Sequence, residues 1–355
     1  MKKRFKLKIR GESPRSLFLA FVLAKLKCDV YLFDFLKNNN SKKDNQIFLF
    51  SDSSKDLLNK FDIWNEIKDI SYGFTSLSIN DNLISELLLL RNKNFTKKYL
   101  NTIGWTANYS DIKKLLTNKL INYDNVYFIS KNQSIDQTLT FDYEFNFKDY
   151  DKTSNLFKLP LSFFKRIDEQ ILIFNVYLRG HIEKRLYVIN TTMGLLVLTP
   201  LNKNLYQIIW KNASNRLKET SLKSKSFFLD NLTTLLPKEF LIDQIIGDIK
   251  FLHVNDIYSC YLIKNKSIYL NENKFKSNFI YDLNFDIIIR NILQIYNFVG
   301  KNYPKSINIY KKFGVYYLLR KYLEIKINFS FPCFLLNLFK LNNIFLLSIR
   351  KIIFI

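Results

Sequence analysis

The chain has 355 residues, 48% of them hydrophobic and 24% charged, enough to bury a substantial core in one large or two interleaved domains and too apolar for an intrinsically disordered chain. The formal charge is +23, but the basic residues are scattered and no zinc-finger, basic-zipper or RNP-type motif accompanies them. Compositional drift in an A/T-rich coding sequence therefore explains the surplus better than a nucleic-acid partner does. Three distant cysteines, Cys28, Cys260 and Cys333, form neither a metal-ligand spacing nor a disulfide framework and point to a reducing cytoplasm; no apolar run reaches the roughly 18 residues of a spanning helix.

Residues 4–10 (RFKLKIR) alternate apolar and basic, the period of a strand. The turn Gly11-Glu-Ser-Pro-Arg-Ser16 follows, then an apolar helical pattern (LFLAFVLAKL), and residues 29–35 (DVYLFDF) read as a second strand carrying Asp34. Strand, tight turn, helix and acid-ended strand make a nucleotide-binding βαβ unit. Asp34 follows Gly11 by 23 residues, where the motif places its ribose-binding acid about 20 on. The pattern G-x-G-x-x-G needs its second glycine for close approach of the pyrophosphate and its third for helix–strand packing; Ser13 and Ser16 stand there. Each still offers an N–H, and its hydroxyl is able to donate to phosphate, but its Cβ narrows the approach. Arg15 either neutralises a phosphate or is solvated, and a βαβ unit that binds nothing is the alternative to a nucleotide site.

Further along, residues 169–211 hold the runs QILIFNVYL, LYVIN, GLLVLTPL and LYQIIW between polar turns, the signal of an antiparallel sheet. An alternating βαβ start with a later block of strands predicts an α/β domain with an inserted β-rich domain. His181 lies in the turn after Arg179 and reads as a surface residue; the sequence has only two histidines, and neither has a Ser or Cys partner at catalytic spacing, so hydrolysis and zinc binding have no support. Residues 306–327 mix apolar residues with Lys311, Lys312, Arg320, Lys321 and Lys326 at helical spacing, and residues 329–355 are richer still in Phe, Leu and Ile. This end is either a helical hairpin packed on the domain or a segment lying in a membrane interface.

Counted from Gly11, the register of Pro14, Leu17, Leu19, Ala20, Leu23, Ala24, Val30, Leu32 and Asp34 resembles the FAD-binding start of the ubiquinone-biosynthesis hydroxylases. Residues 44–67 resemble a later segment of that family through Asp44, Ser51, Leu57, Leu58 and Trp64, with Gln46 in place of its arginine and Asp62 in place of a glycine. Residues 103–119 are similar to the start of the family's next helix. The patch 168–211 is similar to its substrate-domain strands through Gln170, His181, Gly194, Leu198, Pro200, Leu201 and Trp210. Residues 241–270 resemble the return to the FAD domain.

The resemblance implies an α/β fold of the para-hydroxybenzoate-hydroxylase type: a Rossmann-like FAD-binding domain, an inserted antiparallel β-sheet substrate domain and a C-terminal helical region. The expected bounds are 1–70, 101–165 and 256–300 for the first, 71–100 and 166–255 for the second, and 301–355 for the third. It implies FAD as cofactor, NAD(P)H as reductant, and cofactor contacts at Gly11, Ser13, Pro14, Ser16, Asp34, Glu272, Leu283 and Asn284; no catalytic side chain carries over. The family's second FAD motif, Gly-Asp-Ala-Ala-His with a following Pro and Gly-Gln-Gly-Leu-Asn, is reduced to Leu283 and Asn284 with Glu272 near the place of the acid. Its middle motif is reduced to Asp149-Tyr-Asp-Lys-Thr-Ser154. Two functions follow. One is FAD-dependent hydroxylation of a polyprenyl phenol ring in ubiquinone biosynthesis; the other is a non-catalytic partner of the same fold and pathway that has lost tight FAD binding. Either implies a quinone-type lipid and other proteins of that pathway as partners, and a place in the cytoplasm or on the inner face of the cytoplasmic membrane.

Overall fold

The computed structural model describes residues 4–33, 46–81, 86–91, 102–130, 139–147, 168–179, 184–191, 193–212, 225–237, 240–255, 262–264, 267–270 and 285–302. They fall into two units: one takes up to Ile70, Ala107–Lys165 and Ile257–Leu323, the other Ser71–Thr106, Arg166–Asp256 and Glu324–Ile355.

The first unit starts from the predicted βαβ. Strand β1 (Lys6–Arg10) buries Leu7 and Ile9 completely, while Lys6 and Lys8 face the other side, as period-two alternation requires. Pro14 opens helix α1 (Pro14–Lys25), where its fixed φ suits the first helical turn and its missing N–H would be unsatisfied in any case. The helix buries Leu17 to Leu23 almost completely, so its sequence is apolar on every side. Asn125 ties off its end, donating from Nδ2 to the carbonyls of Ala24 at 3.0 Å and Cys28 at 2.7 Å. Strand β2 (Asp29–Phe33) then pairs with β1 in parallel.

Strand β3 (Ile47–Ser51) leads into α2 (Asp52–Asn59) and α3 (Trp64–Asp69), after which the chain forms the short strand β4 (Tyr72–Phe74). Asp62, which stands in place of a family glycine, has φ +53, the left-handed region that Asp tolerates better than most side chains. Strand β7 (Gly104–Asn108) runs directly into α4 (Tyr109–Ile121), whose buried Ile112, Leu116 and Leu120 recur every fourth residue to form one apolar face against α1. After β8 (Val126–Ile129) and β9 (Tyr143–Asn146) come the short strands β15 (Leu262–Lys264) and β16 (Ser267–Tyr269). The sheet order is β15-β16-β9-β1-β2-β8, parallel throughout except for β15. Helix α6 (Phe285–Asn302) buries Phe285, Ile288, Ile289, Ile292, Ile295 and Val299. Phe285 brings its ring to within 5.8 Å of Phe18, 4.8 Å of Phe48 and 5.0 Å of Phe50, centroid to centroid; an abundance of phenylalanine becomes an aromatic core.

The second unit is a seven-stranded sheet in the order β14-β10-β13-β12-β11-β5-β6. Its strands are β5 (Ser76–Asp81), β6 (Glu86–Arg91), β10 (Asp168–Arg179), β11 (Arg185–Thr191), β12 (Gly194–Pro200), β13 (Leu205–Asn212) and β14 (Leu241–Asn255). The strands read from 169–211 pair antiparallel, as expected. Strand β5 instead runs parallel to β11, making the sheet mixed: β5 belongs to an earlier segment, and parallel neighbours need a long connection rather than a hairpin. One face carries Leu172, Phe174, Leu196, Leu198, Ile208 and Trp210, fully buried under Phe228 and Leu232 of helix α5 (Lys225–Leu235).

The C-terminal segments flagged by sequence, together with His181 and the Asp149–Ser154 stretch, lie outside the described residues. No helix among the described residues is long and apolar enough to cross a membrane.

Candidate functional site

Along the chain, β1 is followed by β2 and β8 on one side, and β9 then returns to the other side of β1. Such a reversal leaves a crevice at the carboxyl ends of the two central strands, where open α/β sheets bind ligands. The carboxyl end of β1 carries the Gly11–Ser16 turn; that of β9 carries Asn146 and Phe147. Phe147 donates its N–H to Arg10 O at 2.9 Å, and Leu270, beyond β16, donates to Asn146 O at 2.7 Å. The structure thus brings together Gly11, Ser13, Pro14 and Ser16 of the predicted set. Asp34, Glu272, Leu283 and Asn284 lie outside the described residues.

Gly11 has φ +139, and a Cβ built on it would come 3.0 Å from Phe147 Cβ and 3.3 Å from Ser16 Oγ. Glycine is therefore required here by the chain's own packing, since both the conformation and the space exclude a side chain. Ser16 is fully buried and Ser13 is 5% exposed. Ser13 is the N-cap of α1, with φ −78 and ψ 158, an ordinary extended conformation that needs no glycine.

The two serine hydroxyls turn inward. Ser13 Oγ accepts the N–H of Ser16 at 3.3 Å, and Ser16 Oγ donates to Ser13 O at 2.8 Å. Leu17 donates its N–H to the same Ser13 carbonyl at 3.0 Å. The Ser16 N–H is one of the orphan donors of a first helical turn, satisfied here by the Ser13 side chain, while the Leu17 bond is the first regular bond of the helix.

In the sequence, Glu12 carries no motif role and no link to Lys113. The Glu12 carboxylate reaches α4, where its Oε2 lies 3.6 Å from Lys113 Nζ. That oxygen is shielded from solvent and accepts no hydrogen bond. Lys113 is 17% exposed and Glu12 32%, so water screens the pair only in part. Nothing in the spacing of residues 12 and 113 could have revealed this contact. Phe147 was equally hidden, although the alternation YEFNF marks the strand that delivers it.

A neighbouring polar group on the same sheet is also built from long-range pairs. Lys8 and Glu144 sit opposite each other on β1 and β9, with Nζ and Oε1 3.0 Å apart, and Ser267 Oγ donates to the other carboxylate oxygen at 2.9 Å. Burial raises the Glu144 pKa, but hydrogen bonds from Lys8 and Ser267 and the charges of Lys8 and Arg10 outweigh it, holding the carboxyl below its usual range. Under α1, burial and the nearby carboxylates of Asp29 and Asp142 push the Cys28 thiol up to about 12, which makes it an inert core residue.

A flavin dinucleotide is the cofactor this architecture implies, and the turn does not suit its pyrophosphate. A phosphate at a helix N-terminus takes up free backbone N–H groups. In α1 the first helical residue is Pro14, without an N–H, and the Ser16 N–H is taken by Ser13. The Ser13 side chain stands where the motif needs none, and Glu12 adds a like charge.

No protein-family profile matches this sequence, and no curated protein does either. Solved structures match over most of the chain. A probable FAD-dependent monooxygenase from Pseudomonas aeruginosa, pqsL, superimposes with a TM-score of 0.62 at 10% identity, over 86% of this chain and 89% of its own. The p-nitrophenol 4-monooxygenase PnpA of Pseudomonas putida gives 0.59 at 14%, over 85% and 82%. A tryptophan halogenase from Shewanella frigidimarina gives 0.63 at 11%, over 92% and 76%. At such identities the likeness is one of fold. With its βαβ start, parallel sheet and mixed seven-stranded sheet, the chain has the fold of the FAD-dependent monooxygenases.

Proposed function

We propose that this protein is a non-catalytic member of the flavin-monooxygenase fold, a partner of the ring hydroxylases of ubiquinone biosynthesis that holds or presents their polyprenyl phenol. The observation that supports this reading is the closed first turn of α1: Ser13 accepts the Ser16 N–H and Ser16 donates back to Ser13, so that the chain itself takes up bonds a pyrophosphate would make. The lipid class comes from the sequence resemblance. A polyprenyl phenol resides in the bilayer, and a surplus of 23 positive charges suits a peripheral seat on an anionic inner leaflet.

A second reading, the FAD-dependent hydroxylase itself with NAD(P)H as reductant, is favoured by the strand order that reverses beside β1, as in open sheets that bind ligands at the carboxyl ends of their strands. The flavin content of the purified protein separates the two. The non-catalytic reading expects protein free of FAD, no NAD(P)H-dependent oxygen uptake, and co-purification with an active hydroxylase. Stoichiometric FAD with reductant-driven oxygen uptake would overturn it in favour of the enzyme. A deletion strain with normal quinone and no under-hydroxylated precursor would sink both.

A further inference from the structure

The serine cap explains why few N–H groups remain at the turn, but it leaves open what the turn does to an approaching anion. We infer that Glu12 is the specificity-determining residue of this turn: its carboxylate, held by Lys113, is a resident negative charge that excludes phosphate-bearing ligands and keeps Lys113 from pairing with one. This rests on the reading that the turn has lost tight dinucleotide binding, and it adds to the closed serine cap a charge that turns anions away.

Three observations carry it. Glu12 immediately precedes the N-cap of α1, where the helix dipole would attract an anion, so its carboxylate puts a like charge beside the place a phosphate would take. The oxygen facing Lys113 is closed to water and accepts no hydrogen bond, while the side chain as a whole is 32% exposed, so water softens its repulsion of a second anion only in part. Lys113 is mostly covered and projects from α4, which packs on α1; with Glu12 neutral, its ammonium would lie next to the turn with no carboxylate from residue 12. Arg15 in the first turn is present either way, so a comparison of Glu12 variants reads Glu12 and not the total positive charge.

The test uses the full chain with inorganic pyrophosphate as probe, followed by titration calorimetry and by thermal unfolding with and without the probe. Wild type is expected to show no saturable binding and no shift in Tm. Glu12→Gln, which keeps the shape and removes the charge, is expected to bind pyrophosphate and gain Tm. Adding Lys113→Met should weaken that binding by about tenfold or more. If Glu12→Gln fails to fold, Glu12→Ala makes the same comparison. Wild-type binding of pyrophosphate would overturn the inference, as would a folded Glu12 variant that gains none or whose binding ignores Lys113. The two proposals fail separately: wild type that holds FAD yet ignores pyrophosphate sinks the non-catalytic reading alone. FAD-free wild type with an unresponsive Glu12→Gln sinks this inference alone.

Discussion

Substituting Gly11 by alanine tests whether the turn is shaped by the chain's own packing. At φ +139 an L-residue costs about 1–2 kcal/mol, by analogy with other positive-φ positions. The new methyl carbon would also lie 3.0 Å from Phe147 Cβ and 3.3 Å from Ser16 Oγ. Phe147 Cβ is anchored by its own backbone, whose N–H donates to Arg10 O, so it yields little, and overpacking of this kind costs about 1–3 kcal/mol more. The sum, about 2–5 kcal/mol, is a large part of an ordinary domain's stability. Gly247 is the internal control: its φ is +71, but an added Cβ would meet nothing within 4 Å, so Gly247→Ala carries only the conformational cost of about 1–2 kcal/mol. Urea unfolding of the two variants beside wild type measures the difference, with Gly11→Ala expected to lower the midpoint by about 1 M. Equal midpoints for the two variants, or a Gly11→Ala protein as stable as wild type, would refute the argument that Phe147 and Ser16 fill this notch.

Phe228→Ala, which removes the ring that packs 5.2 Å from Phe174 and 5.9 Å from Trp210, should cost about 3–5 kcal/mol by denaturant titration. Cys28 should resist alkylation at neutral pH in the native protein and react in urea, because burial holds its pKa at about 12; peptide mass spectrometry resolves it from Cys260 and Cys333. Glu144 has a folded pKa below its unfolded value. Its contribution is therefore complete above the unfolded carboxylate range of about 4.3 and is lost as pH falls through the lower folded value. Glu144→Gln should accordingly flatten part of the fall in Tm below about pH 4.5, and an acid limb identical to wild type would count against the Lys8–Glu144–Ser267 group.

Short-range pattern determined much of this protein. Alternation in RFKLKIR, the proline-led apolar run of α1 and the strand runs of 169–211 each specify an element whose period decides which side chains are buried. The same reading placed two serines where a dinucleotide turn has glycines. The structure showed what those serines do through contacts only three residues apart: Ser13 and Ser16 complete each other's bonds and the helix cap. Residues distant in sequence decided the rest. Phe147 makes Gly11 obligatory from across the sheet, β5 joins β11 in parallel from an earlier segment, and Lys113 of α4 gives Glu12 its partner. Those contacts follow from strand order and helix packing, which periodicity within a short window does not encode.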